Sequence, residues 1–135
     1  MTSFVNTLSK VEKPIVDKLR RAVLDIDKSV MEKTGAIMSA KDALCYLEDG
    51  VMKYGLAQNK KGVTFHSMVM YANPDVVDLT KKTLPGVKLQ KGCFNISSLA
   101  EFDLDGFEKV LRLSAQKDFT PVIEHYKKNM EGKTS

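Results

Sequence analysis

Several shortages in the chain close off whole classes of protein. Its two cysteines, Cys45 and Cys93, stand far apart and in no CxxC or Cys/His spacing. Neither a disulfide framework nor a zinc site is therefore expected, and both thiols should be reduced and packed. The two histidines, His66 and His125, belong to no HExxH, and no GxSxG is present. No familiar nucleophilic triad or zinc hydrolase can be written, so the chain reads as non-enzymatic with no catalytic residue. Nowhere do about 18 apolar residues run together, and the stretch MTSFVNTLSKVEKPIV holds no apolar run of signal-peptide length. A cytoplasmic protein without a membrane partner is expected. The net charge of +4 comes from 21 basic and 17 acidic residues scattered among one another. Without a basic stripe interleaved with aromatics, nucleic acid is not expected as a partner.

What is present suits one globular domain spanning residues 1–135, because 135 residues bury one core and are too few for two ordinary domains. From Pro14 to Val30 the apolar residues Ile15, Leu19, Ala22, Val23, Ile26 and Val30 recur every three or four positions, the spacing of one helix face. Thr34 to Met38 reads as a short strand. Ala43 to Glu48 and Val51 to Gln58 flank Asp49-Gly50, which supplies the positive φ angles of a tight hairpin turn. The turn Asn59-Lys60-Lys61-Gly62 leads into an alternating strand, Val63 to Tyr71. Asn73-Pro74-Asp75 starts a helix that Leu84-Pro85-Gly86 ends. Val87 to Gln90 and Cys93 to Ser98 form a second hairpin, Asp103 to Lys117 returns to helical spacing, and a short helix covers about 121–129. The order predicts an α+β fold, an antiparallel sheet with the N- and C-terminal helices packed on one face and a core over about 14–117.

The segment LPGVKLQKGCFNIS poses a choice of chemistry. It lacks the GxxxxGK[ST]-helix order of a phosphate-binding loop. Alternation sets Cys93, Asn95 and Ser97 against Phe94 and Ile96, so a half-buried thiol is expected in place of a reactive one. What remains is a turn whose Gly92 admits unusual backbone angles before a strand.

A lysine-glycine pair opening a short strand, then a loop and an amphipathic C-terminal helix, resembles the YdhG-like family of small bacterial proteins. That family is classed as a domain of unknown function, and some members are described as frataxin-like intracellular iron chaperones. The central CYLEDGVMKYGLAQNKKGVTFHSM is similar too: an aromatic strand, a glycine turn, a strand with a tyrosine, a lysine turn and a strand with an aromatic. The resemblance covers about Leu19 to Lys117. It implies a frataxin-like fold, iron as the bound species and iron-using assembly machinery as partner.

The residues set against this their own pattern. In frataxins iron gathers at acids of the first helix, but here Glu12, Asp17, Asp25, Asp27 and Glu32 are interleaved with Lys13, Lys18, Arg20, Arg21, Lys28 and Lys33. No two of those acids stand three or four residues apart, the spacing at which helix carboxylates share an ion. Glu101, Asp105 and Glu108 are the better-spaced metal candidates, although acids there also cap a helix and complement its dipole. The sheet offers an alternative function. Thr64, His66, Met68 and Met70 form one alternating set, and Met52, Tyr54 and Leu56 an equivalent one. Brought together, Tyr54, His66, Met68 and Met70 would make a Met-rich face that binds a partner protein or small ligand. The alternatives are that the middle or final helix covers this face, or that it closes a homodimer of an otherwise monomeric protein.

Overall fold

The computed structural model describes residues 8–37, 40–59, 62–90, 92–96, 98–100 and 102–134, with the side chains of 40–42, 59 and 129–134 excepted. Met38, the Lys60-Lys61 turn, Lys91, Ser97 and Glu101 lie outside the described residues.

The chain runs α1 (Glu12–Ile26), β1 (Met31–Ile37), β2 (Ala40–Glu48), β3 (Val51–Asn59), β4 (Gly62–Ser67), α2 (Met68–Ala72), α3 (Pro74–Thr83), β5 (Leu89–Gln90), β6 (Cys93–Ile96), α4 (Leu104–Gln116) and α5 (Thr120–Thr134). The six strands form one sheet in the order β1-β2-β3-β4-β6-β5, every pair antiparallel. The protein is thus the expected α+β sheet, with α1 and α4 packed on one face; the last helix, α5, runs longer than the expected 121–129. None of its described helices is long and apolar enough to cross a membrane.

Helix α1 begins at Glu12, two residues before the expected Pro14. Ser9 and Glu12 exchange hydrogen bonds, Ser9 N to Glu12 Oε1 at 2.9 Å and Glu12 N to Ser9 Oγ at 3.1 Å, which satisfies two otherwise orphaned donors. Gln58 Nε2 also donates to Glu12 Oε1, tying the helix start to β3. The apolar stripe of α1, Ile15, Val16, Leu19, Ala22 and Val23, is buried against the sheet together with Phe107, Val110 and Leu111 of α4. The sheet answers with Leu44, Tyr46, Tyr54, Leu56, Phe65 and Phe94. Phe107 meets Phe65 edge-on at 4.9 Å between ring centres, so an aromatic cluster joins α4 to the central strands.

Asp49-Gly50 makes the expected hairpin turn, both residues having positive φ (52° and 79°). Strand β4 is shorter than its alternation suggested. It stops at Ser67, whose side chain accepts from Met70 N at 3.0 Å and caps the short helix α2, so Met68 and Met70 are helical residues. The apparent period of two ran on past Ser67 by coincidence of composition.

Gly92 differs from expectation as well. Its φ is outside the left-handed region, and its importance is proximity. A Cβ there would stand 3.1 Å from both Ser67 O and Tyr71 Cβ, while Gly92 O accepts from Ser67 N at 2.7 Å. Glycine lets β6 approach the β4–α2 junction.

Candidate functional site

Two consecutive residues of β3, Lys53 and Tyr54, are both buried, because a bulge interrupts the β2–β3 ladder. Tyr46 faces Tyr54, but Leu47 faces Met52, leaving Lys53 as the extra residue. The bulge inverts the pattern on either side of it. Met52 falls on the second face of the sheet, whereas Tyr54 and Leu56, of the same parity, fall on the helix face. The expected pairing of Tyr54 with His66 on one surface is therefore corrected. Tyr54 is 0% exposed and its hydroxyl donates to Asp27 Oδ2 at 2.8 Å. Met70 is likewise a core residue, packed with Val69 beneath α2.

The second face carries a small cluster of Ile37, Ala43, Cys45 and Ala57, with Leu47 and Met52 packed on it. At its far end lies a groove of about 650 Å³. Its apolar lining includes Ile37, Val51, Met52 and Met68, and its polar tips are His66, Tyr71, Gln90, Cys93 and Tyr126. A second groove of about 670 Å³ adjoins it, sharing Met68, Tyr71 and Tyr126 and extending to Val122 and His125 of α5. Of the four expected binding residues, His66 and Met68 meet in the first groove and Tyr54 and Met70 do not. Tyr71 and Tyr126, 61% and 39% exposed, were missed: alternation over Val63 to Tyr71 set Tyr71 on the face away from His66, whereas it is helical, and Tyr126 comes from the distant helix α5. Burial lowers the pKa of His66, favouring the neutral imidazole, and raises that of the Cys93 thiol. Neither cysteine is in a disulfide, Cys45 being buried and Cys93 half-buried.

The acids of the N-terminal region are engaged internally. Asp17 pairs with Arg21 at 3.4 Å, and Glu32 accepts from Arg20 Nε at 2.7 Å and from the Tyr46 hydroxyl at 2.9 Å. Asp27 meets Lys53 Nζ at 2.8 Å and also accepts from Ser29. Burial alone would raise its pKa, but the hydrogen bonds from Lys53, Ser29 and Tyr54 outweigh that and hold the carboxyl below its usual value. Farther along, Asp103 Oδ1 caps α4 by accepting from Gly106 N at 3.0 Å, and Glu108 pairs with Arg112 at 3.3 Å. Asp105 lies in the first turn, where the helix dipole opposes a cation. Among the described residues no three His, Cys, Asp or Glu side chains gather to hold a metal ion.

In comparisons with protein-family models, curated proteins and solved structures, no significant match to the chain was found.

Proposed function

We propose that the protein is a binding module for a small, flat, largely apolar molecule, held on the second face of the sheet between β1, β4, β6 and the helices α2 and α5. The observation that carries this is the composition of the groove: apolar and thioether walls interrupted by a few polar tips, in a volume of about 650 Å³. Small-molecule sites fall at roughly 300–1,000 Å³ and share that mixture of apolar wall and sparse polar anchor. Thioethers adapt their shape and favour aromatic rings, while the phenols of Tyr71 and Tyr126 offer both a stacking surface and a hydrogen bond. The His66 imidazole can donate or accept one more. A set of aromatic fragments, each with a single hydroxyl or carbonyl, tests the proposal by ligand-observed NMR. Fragments should bind and should lose affinity in Met68→Ala and Tyr126→Ala variants that remain folded. Affinity unchanged in both variants, or no fragment bound, would remove the groove as the site.

Iron handling stands as a second proposal, favoured by one observation: two long helices on one face of an antiparallel sheet is the architecture that the YdhG-like resemblance implies. Anaerobic ferrous titration decides it. Saturable paramagnetic broadening around Asp105 and Glu108 would support iron delivery to assembly machinery, and its absence would leave the groove as the functional feature.

A further inference from the structure

Backbone register aligns a row of chemically soft groups across the second face. Cys93 stands opposite His66, His66 opposite Gly55, and Gly55 opposite Cys45, so one rung crosses β6, β4, β3 and β2. Directly opposed residues project to the same side of a sheet with Cβ atoms roughly 4.5–5.5 Å apart. Gly55 has no side chain; Ile37 Cδ1 fills the space above it, with Met52 Sδ beside it, 3.3 Å from where a Cβ would stand. A thioether, an imidazole and a thiol therefore follow one another on three adjacent strands. Met68 lines the same groove, its sulfur 3.9 Å from the Tyr126 hydroxyl. Among the described residues, no hydrogen bond or ion pair engages the His66 imidazole, although it is half-buried.

We propose that Cys93, His66 and the sulfurs of Met52 and Met68 form a site for a soft monovalent cation, Cu(I). Thiolate and thioether ligands select Cu(I), and imidazole accepts copper readily. Charge points the same way. The described residues lining the groove include no carboxylate. Cu(I) bound by one thiolate is electrically neutral, whereas Zn(II) or Fe(II) on the same ligands would leave a positive charge in a half-buried apolar setting, which is costly. Binding exchanges one proton for the metal: Cu(I) replaces the hydrogen of the Cys93 thiol, the proton leaves to solvent, and copper and sulfur keep their oxidation states. The site shares the groove proposed for a small molecule but stands on the rung geometry, so either proposal can fail alone.

The test is anaerobic Cu(I) titration of the full, reduced chain against a chromophoric chelator, with X-ray absorption on the loaded protein. One equivalent should bind, with mixed sulfur and nitrogen coordination. Cys93→Ser should weaken affinity by about a hundredfold or more, and His66→Gln or the pair Met52→Leu/Met68→Leu by at least about tenfold, since changing even the groups behind metal ligands costs about ten- to a hundredfold. Cys45→Ala should bind as the parent does, and circular dichroism establishes that each variant is folded. Parent-like affinity in folded Cys93→Ser, sulfur-only coordination, insensitivity to both the histidine and methionine changes, or tighter binding of Zn(II) than Cu(I) would each overturn the proposal. Aromatic fragment binding to the metal-free protein is unaffected by any of these outcomes.

Discussion

Replacing Lys53 by Met should cost more stability than almost any other single polar change in this protein. The ammonium is 1% exposed and its partner Asp27 2% exposed, with 2.8 Å between them. Lys53 also contacts Ser29 Oγ at 3.2 Å and Glu48 Oε1 at 2.9 Å, and it lies 5.5 Å from the centre of the Phe119 ring. Methionine keeps most of the apolar stem and removes the charge, so the loss is mainly electrostatic. Breaking a buried ion pair by deleting one partner costs about 3–5 kcal/mol, because the remaining charge is buried without compensation. Ser29 and Tyr54 still donate to Asp27, which favours the lower end of that range. For a chain of this size, about 3 kcal/mol corresponds to a fall in melting temperature on the order of 10 °C. Urea unfolding at pH 7 measures it. The pH dependence adds a sign. In the parent, the Asp27 carboxyl titrates below its unfolded value, so its stabilisation is fully present above about pH 4 and is lost as pH falls through the lower folded pKa. Without the Lys53 hydrogen bond and charge that pKa rises relative to the parent, so the gap between variant and parent should narrow as pH falls through the range between the two folded values. A loss below about 1 kcal/mol at pH 7, or a gap that widens toward acid, would refute the assignment of an ionised buried pair.

Gly92→Val should destabilise the fold by about 1–3 kcal/mol through crowding of Ser67 and Tyr71, read by chemical denaturation; a near-neutral effect would mean that the close approach of β6 is dispensable. Alkylation of the native, unreduced protein should label half-buried Cys93 before buried Cys45, and the unfolded protein should take two labels by intact mass. Native-state labelling that begins at Cys45 would contradict the placement of both strands. Phe107→Ala should cost about 3–5 kcal/mol in urea unfolding, since its ring is fully buried against Phe65 and Phe94, and a loss below about 1 kcal/mol would contradict that packing.

The parts of the fold legible in the sequence were those written in local periodicity and turn chemistry. The stripe from Ile15 to Ile26 gave α1, Asp49-Gly50 gave the β2–β3 turn, and alternation from Cys93 to Ile96 correctly sorted thiol from aromatic. Where alternation failed, a local device had intervened. Ser67 capped a helix in the middle of an apparently continuous strand, and the bulge at Lys53 turned Tyr54 toward the core while Met52 stayed on the other face. A bulge leaves no residue-type signature, so the side chains paired with His66 could be found only from register. Of the site, His66 and Met68 were recoverable from composition and strand order, Tyr71 and Tyr126 were not, and Cys93 was read only as a packed thiol. Of the charges interleaved around α1, Asp17 and Arg21 make a local pair four residues apart, whereas Arg20 reaches Glu32 on β1, a contact that short-range spacing does not show.

The most direct test of the groove as the functional surface is methyl NMR of the full chain, with labelled methionine and isoleucine methyl groups, during titration with the tightest aromatic fragment. Met52, Met68 and Ile37 line the groove, whereas Met70 and Ile15 lie in the core and Met31 is exposed elsewhere, so the methyl groups report separately on site, core and remaining surface. The proposal predicts saturable shifts at Met52, Met68 and Ile37 with Ile15 and Met31 unmoved; shifts confined to Met31, or spread evenly over all six, would contradict it.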